Sequence, residues 1–315
     1  MNVTLNGDML APHYRMASWL CTPDRPTRTV QVLLAGLTYD HRYWTTSARP
    51  AGRSYAQEAV AAGYAVLYVD RLGTGRSDRP PAGEVDVVSE AYVAHQVVAA
   101  VRDGRLGWYE TVIAVGHSYG SMIWTVEAAA YDDVDALALT GYMHGADPLA
   151  QEAARARLHP AAADPAFAGS PDGYLTTMPG TRGALFHYLP GSSRRLVALD
   201  ERMKSTGTIG ELASLAAIAD PGYTRRLRRP VLLLLGDHDA LFCNPRAGLR
   251  CGSAADLCAR EGTLFGRARL SAVLVKDTGH SITMHQSAPR AARAISDWAR
   301  TIRGPGRTPD ARSCT

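Results

Sequence analysis

A serine lies between two glycines in the segment Gly116-His117-Ser118-Tyr119-Gly120. The apolar run from Thr111 to Val115 precedes this segment, and a helix-like stretch from Ser121 to Tyr131 follows it. A serine at such a strand-to-helix turn has a strained backbone, and the two glycines leave room for the turn. Its hydroxyl is then exposed at the end of a sheet, where the first amides of the helix can stabilise an oxyanion. The spacing therefore predicts Ser118 as the nucleophile of an acyl-transfer reaction.

The predicted general base for this serine is His280. A serine nucleophile needs a base that takes its proton, and the base needs an acid that orients it. The apolar run from Ala272 to Val275 leads to Gly279-His280, shortly before a helix-like stretch. His238 and His285 are the nearest competitors. We expect His285 to line the pocket or to cap the next helix.

Two aspartates compete for the role of the orienting acid. The apolar run from Val231 to Leu235 ends at Gly236-Asp237-His238-Asp239. Asp237 follows the glycine directly and could serve the turn through its own hydrogen bonds. Asp239 lies in the same turn, two residues further on. Either one gives the chain order serine, aspartate, histidine that is typical of a nucleophile at this kind of turn.

Strand-like and helix-like segments alternate around these residues, which predicts an α/β fold with a mostly parallel sheet covered on both faces. The segment from Gly145 to Arg229 breaks the alternation, because it contains no clean buried strand. The predicted strands include residues 13–21, 29–35, 64–69 and 135–140, and the predicted helices are 52–63, 89–102 with Ser89 as a possible N-cap, and 288–302.

The chain resembles α/β-hydrolase-fold proteins of the bacterial serine-esterase type. The resemblance spans about residues 30–300, and its motifs are specific for the superfamily but not for a substrate. It implies Asp239 as the acid, at the second aspartate of Gly-Asp-x-Asp, and an oxyanion hole made by the backbone amides of Leu37 and Tyr119. The matching segments are Val32-Leu33-Leu34-Ala35-Gly36-Leu37, Tyr68-Val69-Asp70-Arg71-Leu72-Gly73-Thr74-Gly75-Arg76-Ser77, the serine turn, Gly236-Asp237-His238-Asp239 and Gly279-His280.

One position departs from the family pattern. The family usually has His-Gly after its third strand, where this chain has Ala35-Gly36. The oxyanion group at this place is a backbone amide, so the loss of the histidine need not remove it. With alanine at this position, the family pattern no longer predicts the exact geometry of this loop.

The resemblance also implies that a mostly helical lid is inserted into the core. We therefore divide the chain into a first core part (residues 1–144), a helical lid (145–229), a second core part (230–303) and a tail that we predict to be disordered (304–315). The lid would roof the pocket over Ser118. Two groups of residues just after core strands are the expected substrate contacts, with packing under the lid as the alternative role: Tyr39, His41, Tyr43 and Trp44, and Tyr142, Met143 and His144.

Composition narrows the class of partner. Hydrophobic residues make up 46% of the chain and the net charge is only +4, with no basic run that would favour nucleic acid. No apolar stretch reaches the roughly 20 residues that span a bilayer. Residues 1–11 lack the basic start and apolar core of a signal peptide. We therefore expect a small-molecule substrate, no nucleic acid, no membrane and a cytoplasmic location.

No cofactor or metal is predicted. Gly73-Thr74-Gly75 lacks the third glycine of a dinucleotide loop, because Asp78 stands in its place. None of the five cysteines forms a C-x-x-C pair that would indicate zinc. Free thiols are the first interpretation, and a bridge between Cys243 and Cys251 is the alternative. The cysteines are Cys21, Cys243, Cys251, Cys258 and Cys314.

These residues predict a cofactor-free serine hydrolase that acts on a small, largely apolar ester, lactone or thioester. The alternative is a non-hydrolytic tailoring enzyme of the same fold, such as a lyase, cyclase or acyltransferase, because fold does not fix function. A third hypothesis is a catalytically silent protein that binds a ligand. The products separate the first two hypotheses, and tight binding without turnover would support the third.

Overall fold

The structure is a computed structural model that describes residues 1–8, 10–49, 52–216, 220–302 and 311–314. Its strands are β1 (Asn2–Val3), β2 (Tyr14–Arg15), β3 (Ser18–Cys21), β4 (Thr29–Leu34), β5 (Ala65–Val69), β6 (Thr111–His117), β7 (Ala136–Thr140), β8 (Leu158–Pro160), β9 (Tyr174–Thr177), β10 (Gly207–Thr208), β11 (Val231–Gly236), β12 (Leu270–Val275) and β13 (Arg312–Ser313). Its helices are α1 (Arg42–Thr45), α2 (Tyr55–Ala61), α3 (Val87–Arg102), α4 (Tyr119–Tyr131), α5 (Pro148–Arg155), α6 (Arg182–Phe186), α7 (Arg194–Met203), α8 (Ile209–Ser214), α9 (Ala254–Glu261) and α10 (Ala288–Arg300).

A central sheet has the strand order β13-β12-β11-β7-β6-β4-β5-β3. The pairings from β12 to β5 are parallel, and only the edge strands β3 and β13 run antiparallel to their neighbours. Strands β4, β6, β7 and β11 are buried along their whole length, which explains their nearly continuous apolar sequences. The predicted mostly parallel sheet is confirmed.

Helices cover both faces of this sheet. Apolar residues of α3 and α4 pack on one face, and those of α2 and α10 pack on the other. Helix α3 begins at Val87 because the Asp86 side chain accepts hydrogen bonds from the amides of Val88 and Ser89. The predicted cap at Ser89 is therefore wrong, and Ser89 instead returns the capping-box hydrogen bond to Asp86. No helix among the described residues is long and apolar enough to cross a membrane.

The inserted segment, residues 145–229, contains a small sheet as well as helices. Strands β8, β9 and β10 pair antiparallel in the order β10-β9-β8, and Tyr174 and Thr176 of β9 are fully buried. The prediction that this segment has no buried strand is therefore wrong. These strands are only two to four residues long and rich in threonine and glycine, so their apolar pattern is too short to stand out in the sequence.

The end of the chain is tied to the sheet. Residues 304–310 and 315 of the predicted disordered tail lie outside the described residues. Strand β13, however, pairs with β12, and Cys314 forms a disulfide with Cys258 of α9. Disorder is therefore the wrong prediction for residues 311–314. A second disulfide joins Cys243 and Cys251, which was the alternative interpretation. The expectation of thiols at Cys243, Cys251 and Cys258 is therefore wrong, and Cys21 is the one unbridged cysteine of the described residues.

The two disulfides should differ in their effect on stability. The Cys258–Cys314 bridge spans 56 residues and the Cys243–Cys251 bridge spans 8. Because a longer loop constrains the unfolded chain more, we expect Cys258→Ser/Cys314→Ser to lower the free energy of unfolding by about 4 kcal/mol and Cys243→Ser/Cys251→Ser by about 2.5 kcal/mol. Urea denaturation measures both values. Alkylation of Cys258 and Cys314 in the unreduced wild-type protein would contradict the pairing.

Candidate active site

Ser118 sits at a strained turn between β6 and α4. Its backbone angles, φ 52° and ψ −118°, lie outside the regions that residues other than glycine normally adopt. A Cβ atom at Gly116 would come within 2.5 Å of the Ser121 backbone, and one at Gly120 within 2.3 Å of the Leu34 carbonyl oxygen. Both glycines are therefore required by close backbone approach, which is the physical reason for the sequence pattern.

The structure brings the predicted nucleophile, base and acid together. Ser118 Oγ lies 3.0 Å from His280 Nε2, and His280 Nδ1 lies 2.8 Å from Asp239 Oδ2. Asp239 and His280 are almost completely buried. The three side chains come from the turns after β6, β12 and β11, at the same edge of the parallel sheet. This geometry allows His280 to accept the Ser118 proton while Asp239 holds the other ring nitrogen.

Asp237 has a different environment. One of its carboxylate oxygens accepts a hydrogen bond from the Thr278 amide at 3.2 Å, and the other lies 3.6 Å from the Lys276 ammonium. It therefore ties the turn after β11 to the turn after β12 and makes no hydrogen bond with His280. The two aspartates that the sequence left in competition have separate roles in the structure.

His285 holds the backbone next to His280. Its Nε2 accepts hydrogen bonds from the amides of Gly279 and Tyr188, both at 3.0 Å, and its Nδ1 donates to the Ser281 carbonyl at 2.8 Å. Burial lowers the pKa of His285 to about 4, so the ring is neutral and Nε2 stays an acceptor at neutral pH. His285 therefore fixes the turn that carries His280. It does not line the cavity and does not cap α10.

A buried arginine holds the loop that follows β4. The Arg71 guanidinium donates to the carbonyl oxygens of Ala35 at 3.0 Å and Gly36 at 3.1 Å, and it also pairs with the carboxylates of Glu90 and Glu211. A Cβ atom at Gly36 would lie 3.0 Å from Ser118 Cβ, so this loop packs directly against the serine. Alanine in place of the usual histidine leaves these main-chain contacts available.

A second buried arginine holds the same loop from the other side. Thr38 has a φ of 60°, which is unusual for a β-branched residue. Arg182, fully buried in the inserted segment, donates to Thr38 Oγ1 at 3.0 Å and to the Thr38 carbonyl at 3.4 Å. The Ser205 amide donates to the same carbonyl at 2.9 Å. The insertion thus fixes Thr38. This residue directly follows Leu37, and the Leu37 amide is the predicted oxyanion donor.

Asp200 completes this buried network. Its carboxylate accepts hydrogen bonds from Arg182 at 3.1 Å, from the Tyr39 hydroxyl at 3.1 Å and from His187 Nε2 at 3.0 Å. Burial alone would raise the pKa of Asp200, but the Arg182 guanidinium and the His187 ring hold it below its ordinary value. Asp200 is therefore ionised and compensates the charge of Arg182.

Ser118 and His280 open onto an apolar cavity of about 110 Å³. Tyr39 lines it, as the sequence predicted, and so do the predicted oxyanion residues Leu37 and Tyr119. Most of the remaining lining comes from apolar side chains of the insertion and of the turn after β11. These include Leu158, Leu185, Phe186, Leu212, Leu215, Leu241 and Phe242.

Six predicted substrate contacts do not line this cavity: His41, Tyr43, Trp44, Tyr142, Met143 and His144. His41 Nδ1 hydrogen-bonds to Asp70 at 2.7 Å, and its ring packs on Trp19. His144 Nδ1 hydrogen-bonds to the buried carboxylate of Glu261 at 2.6 Å. Trp44 and Tyr142 are each only 1% exposed and belong to the two main hydrophobic cores. Tyr43 and Met143 are likewise buried in hydrophobic clusters, so the structure places all six side chains in contacts within the protein, away from the cavity.

Sequence reasoning missed the lining residues of the insertion. Leu185, Phe186, Leu212 and Leu215 lie on or next to short amphipathic helices, where apolar residues are ordinarily core residues. Nothing in their spacing distinguishes a cavity wall from a core. Phe242 carried a usable signal, because it follows the predicted acid Asp239 by only three residues.

Substitution of the two aspartates gives a matched pair of variants. We expect Asp239→Asn to lower kcat by about 10⁴-fold, because the amide disfavours the histidine tautomer that accepts the serine proton. Asp237→Asn should change kcat by less than about tenfold, since Asp237 only ties two turns together. Hydrolysis of p-nitrophenyl acetate measures both. Equal losses in the two variants would contradict the assignment of Asp239.

Arg182→Met should strongly destabilise the protein. The substitution leaves the Asp200 carboxylate buried without its cation, which costs about 3–5 kcal/mol of unfolding free energy. Arg194→Met, at an exposed arginine of the same insertion, should cost no more than about 0.5 kcal/mol. Urea denaturation of both variants tests the comparison, and a double variant Arg182→Met/Asp200→Leu should regain part of the loss. A double variant less stable than Arg182→Met would contradict the ion pair as the cause.

Comparisons with known proteins agree on the architecture. The model of a family described as the alpha/beta hydrolase family matches residues 31–294. An esterase from Thermogutta terrifontis has a TM-score of 0.63 at 17% identity, over 96% of this chain and 99% of that one. A monoacylglycerol lipase from Paleococcus ferrophilus has a TM-score of 0.63 at 16% identity, over 91% and 99%. No curated protein sequence matches the chain. The family match covers most of the sequence, and the chain belongs to the alpha/beta hydrolase family.

Proposed function

We propose that this protein is a serine hydrolase that cleaves a small, largely apolar ester, lactone or thioester. The observation that carries the proposal is the position of Ser118 Oγ, 3.0 Å from His280 Nε2 and on the wall of an apolar cavity. The similar solved structures include an esterase, a monoacylglycerol lipase and carboxylesterases of the ammonia-oxidizing thaumarchaeon Nitrososphaera gargenis. Those activities support ester cleavage as the reaction class.

The hydrogen bonds of the site support the following reaction. His280 takes the proton of Ser118 as the serine oxygen attacks the carbonyl carbon of the substrate. Asp239 keeps the proton on His280 Nδ1 and stabilises the imidazolium that forms. The amides of Leu37 and Tyr119 stabilise the oxyanion, the alcohol leaves with the proton from His280, and an acyl-enzyme remains. Water activated by His280 then releases the acid.

The cavity sets the kind of substrate. Its volume of about 110 Å³ is room for several water molecules, since one needs roughly 10–15 Å³. Its lining is mainly apolar, with leucine as the commonest residue, so it favours an apolar group next to the reacting carbonyl. We propose that residues 145–229 act as the lid of this cavity, because Leu185, Phe186, Leu212 and Leu215 of that segment form part of its wall.

The cellular location stays a prediction. We predicted the cytoplasm, and the two disulfides argue against it, because disulfides persist mainly in oxidising compartments. The thiol state of the four cysteines in protein isolated from its native cells would decide between the cytoplasm and an oxidising compartment.

Hydrolysis of p-nitrophenyl esters from acetate to decanoate tests the function. We expect turnover by the wild type that falls once the acyl chain exceeds the cavity, and a loss of several orders of magnitude in Ser118→Ala. A fluorophosphonate probe should label the wild type and leave Ser118→Ala unlabelled. Equal turnover by the two proteins would refute the mechanism.

The products separate hydrolysis from the alternative reaction of the same site. A hydrolase releases a free acid and an alcohol, which mass spectrometry detects directly. A folded wild type that the fluorophosphonate labels, but that hydrolyses none of the esters, would instead favour a non-hydrolytic tailoring enzyme such as a lyase, cyclase or acyltransferase.

A further inference from the structure

A second cluster of ionisable side chains lies away from the cavity, between α3 and α4. His95 comes from α3, Glu127 from α4 and Asp133 from the turn after α4. One ligand atom from each residue lies within 4.8 Å of the others. Glu127 is nine residues beyond Ser118, or roughly 13 Å along the helix, so the cluster is separate from the serine site.

Glu127 is the unusual member of this cluster. Its side chain is fully buried, and neither carboxylate oxygen has a hydrogen-bond partner among the described residues. Asp133 Oδ1 is also buried without a partner. Burial of a carboxylate without donors or a cation is costly. Two carboxylates face each other here, and the imidazole of His95 contacts only one of them, at 2.6 Å from Asp133 Oδ2.

Asp40, His41 and Asp70 form a second cluster of this kind, and its carboxylates have a complete set of contacts. Asp70 accepts hydrogen bonds from the amide and ring of His41 and from the Arg76 amide, and Asp40 pairs with the Arg42 guanidinium. These carboxylates need no further ligand. The contrast singles out the cluster around Glu127 as the one with unused acceptors.

We propose that His95, Glu127 and Asp133 bind a divalent transition-metal cation, with Zn²⁺ as the best match. One imidazole nitrogen and two carboxylates are ligands that Zn²⁺ accepts, at about 2.0–2.2 Å from the ion. Among the cations that suit such a set, Zn²⁺ is bound more tightly than Mn²⁺. A cation would satisfy the oxygens of Glu127 and Asp133 that have no donor.

The cluster is accessible and partly preorganised. The side chains of His95 and Asp133 are 32% and 22% exposed, so an ion can enter from solvent and keep water as its remaining ligand. The Tyr131 ring stacks on His95 at 4.0 Å between centroids, which fixes the imidazole plane. Binding requires the 2.6 Å contact between His95 and Asp133 to open slightly, because two ligands of one zinc ion lie roughly 3.3 Å apart.

Without a cation, the two carboxylates can share a proton. Burial, together with the neighbouring Asp133 carboxyl group, raises the pKa of Glu127 well above its ordinary value. The variant Glu127→Gln separates the proton-sharing state from the zinc-bound state. Glu127→Gln has the shape of the protonated acid and can donate a hydrogen bond to Asp133, so we expect it to fold, but an amide is a much poorer zinc ligand than a carboxylate.

Titration calorimetry with ZnCl₂ on EDTA-treated, desalted protein tests the site. We expect one zinc ion per chain with a Kd below about 10 μM in the wild type, and binding weakened at least tenfold in Glu127→Gln and in His95→Phe. The phenylalanine keeps an aromatic ring against Tyr131 while it removes the nitrogen ligand. Zinc should also raise the Tm of the wild type, and not that of the two variants.

Asp132→Asn is the matched control. Asp132 is the neighbour of Asp133, pairs with exposed Arg229, and has a left-handed φ that asparagine tolerates. It should bind zinc like the wild type, and all three variants should hydrolyse esters at the wild-type rate. Absence of binding to the wild type at 100 μM zinc would overturn the site. Equal binding by the wild type and Glu127→Gln would place the ion elsewhere and would overturn it too.

Discussion

The active-site region is built around the backbone strain at Ser118. A positive φ at a serine costs free energy, and such a conformation persists only where the surrounding structure holds it. The residues around Ser118 do this. The Ser118 amide donates to the Thr140 carbonyl at 2.8 Å, and Gly116 and Gly120 let the start of α4 approach β6 and the end of β4 without side chains between them. Because β6 lies in the interior of the central sheet, the strained residue cannot relax without disrupting the pairing on both sides.

The loop after β4, which packs against Ser118, is held by hydrogen bonds from buried charged side chains and not by strand pairing. Arg71 from the core and Arg182 from the insertion each donate to main-chain carbonyls of this loop. Each guanidinium is in turn compensated by carboxylates, Glu211 and Asp200, that belong to the insertion. The same segment that forms part of the cavity wall therefore also fixes the loop beside Ser118. A change in the insertion that alters substrate fit will also act on the geometry of the predicted oxyanion hole.

The sequence predicted the parts of the site that depend on local order. The apolar strand, the turn and the helix around Ser118 are contiguous, so their pattern could be recognised without any other part of the chain. The positions of His41 and His144, away from the cavity, could not be predicted for the opposite reason. Their partners, Asp70 and Glu261, are 29 and 117 residues away, and only the fold shows that these rings are already hydrogen-bonded. The same holds for residues 311–314, because their order depends on pairing with β12 and on a disulfide to Cys258, and composition alone shows neither.

The alanine at position 35 shows why one departure from a family pattern carries little weight at this site. The groups that Arg71 and Arg182 hold are the carbonyls of Ala35, Gly36 and Thr38, and every residue type supplies a carbonyl. The constraint at Gly36 is steric, because a Cβ atom there would press on Ser118 Cβ at 3.0 Å. Alanine at position 35 therefore keeps the carbonyl that Arg71 holds, and Arg71 and Arg182 are the residues whose identity matters for the path of this loop.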